Sequence, residues 1–133
     1  MALTIDELRA IADALRKAAE EIDAYLDDNY QKITRPEYEF LNETFKELIY
    51  ASSVFTTKAV GLVIEDLKNP AADIKNVIDK AKEEIKKLKL VGDVIKFVAG
   101  LADLAAGIMS RDPKAIVTAI SNLLNQITQK KQN

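Results

Sequence analysis

Carboxylates are the most numerous side chains here that could hold a metal or move a proton, and they gather at Glu20-Glu21-Asp23, at Asp27-Asp28 and at Glu83-Glu84. Hard oxygen ligands of this kind suit magnesium or manganese. Runs of adjacent acids on a helix, however, fan out around its surface and read as solvated faces. A calcium loop opening at Asp27 requires Gly at its sixth position and an acid at its twelfth. Lys32 and Tyr38 stand there, which excludes it. The di-iron arrangement of helical bundles needs Glu-x-x-His on two helices, and this chain has no His.

Cys is absent as well. The two absences together remove Ser-His and Cys-His nucleophiles, thiolate metal sites, and the side chain that most often exchanges protons near neutral pH. No Gly-rich phosphate loop, Gly-x-Ser-x-Gly or Ser-x-x-Lys takes their place. The hydroxyls Ser52, Ser53, Thr56 and Thr57 form two pairs at spacing four in an apolar region. Such residues bond back to the carbonyls of the preceding turn or mark a close helix contact, and a polar ligand pocket is the sharper alternative. The expectation is a protein that is not an enzyme and carries no cofactor or metal.

Five lysines lie between Lys80 and Lys89, but Glu83 and Glu84 sit among them and no aromatic residue is interleaved. This pattern, with a pI near 5.3, argues against a nucleic-acid track. Net charge is only -2 but unevenly spread: residues 1–67 carry 14 acids and 7 bases, and residues 68–133 carry 7 acids and 12 bases. The expectation is that the acidic front half packs beside the basic back half and the difference is satisfied internally. The N-terminal segment lacks the basic-then-apolar layout of a secretory signal, which makes a cytoplasmic location the simplest expectation.

The elements that would position these groups are all helical, with apolar residues recurring at three-four spacing and no strand pattern. Thr4-Ile5-Asp6-Glu7 is a capping box that starts the first helix, whose stripe is Leu8, Ile11, Leu15, Ala18, Ile22 and Tyr25, widened by Ile5 and Leu26. A turn is expected near residues 30–34. Thr34, Pro36 and Glu37 then start a second helix, expected from Arg35 to Lys68, with Phe40, Leu41, Phe45, Leu48, Ile49, Phe55, Val60, Leu62, Val63 and Leu67 available to a core. Asn69-Pro70 starts a third helix with almost no loop. Nothing breaks it before Met109, although Gly92 is the best place for a bend. Asp112-Pro113 starts the last helix, whose stripe of Ile116, Val117, Ile120, Leu123, Leu124 and Ile127 runs into the polar tail Gln129–Asn133.

Within the third helix, Leu90 to Met109 is apolar on most of its circumference and should be buried on several sides. Leu90, Val94, Phe97, Leu101, Leu104 and Ile108 form one stripe; Val91, Ile95, Val98, Ala102, Ala105 and Met109 form a second. The remaining strip is Asp93, Lys96, Gly100, Asp103 and Gly107. Gly costs about 1 kcal/mol against Ala inside a helix, so its repetition calls for close approach of another backbone. Either the last helix lies over Gly100 and Gly107 while Asp93 and Lys96 reach solvent, or the strip receives a partner helix. A bilayer span is disfavoured: the large apolar residues favour insertion by about 0.3 to 0.6 kcal/mol each, whereas Asp93, Lys96 and Asp103 cost up to about 3 kcal/mol each.

The sequence therefore predicts one all-α domain over residues 1–133: an antiparallel bundle of four long helices, or five if the third breaks near Gly92. The function expected of it is binding another protein, or a second copy of itself. One alternative is lipid contact through residues 88–109, and a weaker one is a small apolar ligand near Phe45, Phe55 and Phe97.

Overall fold

The computed structural model describes residues 2–132, with side-chain surroundings for residues 2–130. It is a bundle of five helices: α1 (Ile5–Asn29), α2 (Arg35–Lys58), α3 (Pro70–Lys87), α4 (Val91–Met109) and α5 (Pro113–Gln132). Helix α1 packs on α2 and α3, α2 packs on α4, and α5 lies against both α4 and α3. The resulting ring runs α1–α2–α4–α5–α3 and encloses one core.

Local chemistry accounts for where the helices begin. Thr4 Oγ1 accepts from the Glu7 amide at 3.1 Å while Glu7 returns to the Thr4 amide at 3.0 Å. Thr34 and Glu37 repeat the device at 3.3 and 2.8 Å. Asp112 Oδ1 accepts from the Ala115 amide at 3.2 Å, with Pro113 as the first helical residue of α5. Asn69 stands before Pro70 but makes no side-chain cap bond. On α1, Leu8, Ile11, Leu15, Ala18, Ile22, Tyr25 and Leu26 are all buried, whereas Ile5 is exposed at the helix start.

Two expectations about element boundaries are corrected. Helix α2 stops at Lys58, ten residues short of Lys68, and residues 59–69 form a connection where almost none was expected. Gly61 adopts φ +83, a left-handed conformation cheap only for Gly, and the chain then extends. Burial alternates along it: Leu62 and Ile64 turn into the core and Val63 points out. Leu3 donates to the Leu62 carbonyl at 2.9 Å and accepts from Gly61 at 2.8 Å, which gives an antiparallel bridge between Ala2 and Val63. The N-terminal residues thus satisfy backbone groups that a longer α2 would have satisfied itself.

The third helix is also two. It ends at Lys87 and restarts at Val91, so the break falls at Leu88–Leu90 and not at Gly92, which lies in the first turn of α4. Leu88 and Leu90 have ψ of 137° and 128°, and the Leu88 amide reaches only the Ile85 carbonyl, at 3.3 Å. No single rod of about 60 Å can keep both apolar faces on a core spanned by helices of roughly 30–40 Å. Folding back buries Ile85, Val94 and Phe97 and leaves Leu90 exposed at the turn.

The acidic front-half helices α1 and α2 do pack beside the basic back-half helices α3 and α4. Every ion pair among the described residues except Lys130–Asp93 joins residues three or four apart on one helix, and none links the acidic front half to the basic back half.

Candidate functional site

Helix α4 is where the sequence concentrates its unusual features, and its first stripe does lie inside: Val94, Phe97, Leu101, Leu104 and Ile108 are buried, with only Leu90 outside. Of the second stripe, Val98 and Ala105 are buried and Val91, Ile95, Ala102 and Met109 are half-buried.

The third strip is split by α5. A Cβ on Gly100 would sit 2.6 Å from Leu123 Cδ2, and one on Gly107 would sit 3.1 Å from Ile116 Cγ1 and 3.2 Å from the Ile116 backbone nitrogen. Asp93 accepts from Lys130 in a part-buried ion pair. These three contacts step forward along α4 in sevens, 93, 100 and 107, while stepping back along α5 in sevens, 130, 123 and 116. A strict interval of seven is the signature of two helices wound together in constant antiparallel register. The bare backbone at Gly100 and Gly107 lets Leu123 and Ile116 seat as knobs. Lys96 and Asp103 flank the seam and are exposed. Asp93 is thus held by α5, where sequence reasoning expected it to reach solvent.

Three of the four hydroxyls singled out on α2 are satisfied within their own helix. Ser52, Ser53 and Thr57 donate to the carbonyls of Ile49, Tyr50 and Val54 at 2.7, 2.6 and 2.9 Å, three residues back and not four. Thr44 donates to the Phe40 carbonyl at 2.8 Å. Phe55 and Phe97 are buried core residues and Phe45 packs at the core's edge. Among the described residues, no three Asp or Glu side chains converge on a common point, and no helix is long and apolar enough to cross a membrane.

What the sequence did not single out is the outward groove between α2 and α4. Its volume is about 390 Å³; Ala102, Ala105, Ala106 and Met109 form one wall, and Leu48, Ala51 and Tyr50 form the other, with Glu43, Lys46 and Glu47 at the rim. Tyr50 is 59% exposed, the second most exposed large apolar side chain after Leu90. Glu43, Lys46 and Glu47 are exposed and take part in none of the ion pairs among the described residues. Small side chains on α4 make this wall shallow, so that a second helix could approach closely. The signal was present in the sequence as Ala102, Ala105 and Ala106 at three-four spacing, but Ala fits inside a bundle and outside it equally well.

Burial, and then the charge of Glu37, push the Tyr25 phenol above its usual value.

Compared with protein-family models, with curated proteins and with solved structures, the chain matches none of them.

Proposed function

We propose that this protein is a non-enzymatic helical bundle that works by binding another protein, and that the groove between α2 and α4 is the surface it uses. The observation that carries the reading is the pairing of a shallow apolar wall with the exposed Tyr50 beside it. Tyr supplies a large amphipathic contact at low entropic cost and is enriched at protein interfaces, while a shallow apolar groove suits the apolar face of an amphipathic helix. The strip Asp93, Lys96, Gly100, Asp103 and Gly107 lies outside the groove's lining, and its glycines already hold α5. The lack of His and Cys in the sequence supports a role without catalysis. A cytoplasmic location completes the reading.

The test is site-specific photo-crosslinking in cells with a benzophenone side chain at position 50, and at the exposed position 80 on α3 as control. A protein adduct at 50, lost when Ala106 is replaced by Arg, is the expected result. No adduct at 50, or equal labelling at both positions, overturns the proposal.

A second reading rests on Leu90. It is 69% exposed at the α3–α4 turn, next to Lys89 and close in sequence to Lys86 and Lys87. An apolar tip among lysines suits an anionic lipid surface. The stripes of residues 91–109 are largely committed to the core, so lipid contact in this fold centres on that turn. Flotation with anionic and neutral vesicles at low and high salt decides it; absence from the anionic vesicle fraction at low salt refutes it.

A further inference from the structure

Resting on the reading of the α2–α4 groove as a protein-binding surface, we infer that its occupant is a second copy of this chain, related by a two-fold axis. A two-fold interface uses one patch on both subunits, so the patch must contain both members of every complementary pair. This groove does. It carries a knob, the exposed ring of Tyr50, and beside it a hollow floored by Ala102 and Ala106 and closed by Met109. It also carries both signs of charge, Lys46 between Glu43 and Glu47, with none of the three engaged elsewhere among the described residues. An unrelated partner would need only the complement of one member of each pair. Across a two-fold axis, each Tyr50 ring enters the other copy's hollow, and each Lys46 ammonium meets the other copy's Glu43 and Glu47 carboxylates. The turn at Leu90, by contrast, carries Lys89 with no acid in its own segment, Leu88-Lys89-Leu90.

Sedimentation of the full chain across a wide concentration range tests this, together with charge swaps at exposed positions that leave the core intact. The wild type is expected to reach twice the mass of the chain. Lys46→Glu alone, and Glu43→Lys with Glu47→Lys, should each weaken dimerisation about tenfold or more, and mixing the two variants should restore a mixed dimer. Circular dichroism checks that each variant keeps its helices. Wild type that stays monomeric throughout, or variants that dimerise as well as wild type, overturn the inference. The crosslinking experiment separates the two readings: an adduct at position 50 to a different protein only leaves the binding function standing and removes the two-fold dimer.

Discussion

Replacing the glycines of α4 one at a time measures how tightly α5 is seated. In a helix interior Gly→Ala gains about 1 kcal/mol from backbone propensity alone. At Gly100 the added methyl lies 2.6 Å from Leu123 Cδ2 and 3.0 Å from Cγ. Leu123 is fully buried, so its end cannot swing into solvent, and overpacking of this kind costs about 1–3 kcal/mol. The net expectation for Gly100→Ala is a loss of about 1 kcal/mol, and for Gly100→Leu a loss of several. Gly92 meets nothing within 4 Å, so Gly92→Ala should stabilise by about 0.5 kcal/mol. For a chain of this size each kcal/mol moves the melting temperature by about 3–5 °C. Urea denaturation followed by circular dichroism resolves these differences. A double-mutant cycle sharpens the result: Leu123→Ala alone should cost about 2–5 kcal/mol, and adding Gly100→Ala to it should then stabilise, because the methyl enters the space vacated. Strictly additive losses, or a Gly100→Ala variant more stable than Gly92→Ala, would refute the close-packing argument.

Arg111 sits at φ 57, and its guanidinium donates to the carbonyls of Lys58 and Val60 at 3.3 and 3.1 Å, closing the end of α2. Arg111→Ala should therefore be less stable than Arg111→Gly by about 1 kcal/mol, since both lose the bonds but only Gly sheds the backbone strain; equal melting temperatures would count against this. Thr4→Ala and Thr34→Ala should each cost about 1 kcal/mol in urea melts, and a variant within error of wild type would mean its capping box contributes nothing. Leu3→Ala should cost about 2–5 kcal/mol and raise hydrogen exchange at the amides of residue 3 and Gly61, because Leu3 is buried and these two amides make the bridge; unchanged protection there would sink the clip. For Tyr25 the folded phenol titrates above the unfolded one. Its contribution is complete below pH 10 and is lost as pH rises from there through the folded value, because the unfolded chain ionises first. Tyr25→Phe should lose less stability than wild type between neutral pH and pH 11, and parallel losses would refute it.

Helix starts were legible in the sequence because they are local events. A Thr or Asp cap and the residue three positions on meet through backbone geometry alone, whatever lies beyond the helix. The same holds for the stripe of α1, which needs only period and hydrophobicity. Helix ends were less legible. The stop of α2 had a partial signal in Gly61 and in the alternation of Leu62, Val63 and Ile64. Its outcome depended on Leu3, some sixty residues earlier, being available to pair. The stop at Leu88–Leu90 has no breaker at all; it is set by the length of the core that α3 and α4 must share.

The site shows the same division. Glycines at an interval of seven announced a close contact, and that much belongs to the sequence, since a repeated Gly in a helix needs compensation. Which residues fill the space, Leu123 and Ile116, and that they belong to this chain, is decided by the path of α5. The groove beside Tyr50 exists only in the tertiary structure. Helical periodicity tells which residues share a face, but whether an alanine face is covered depends on where the neighbouring helices stop, and here α2 and α5 leave it open between them.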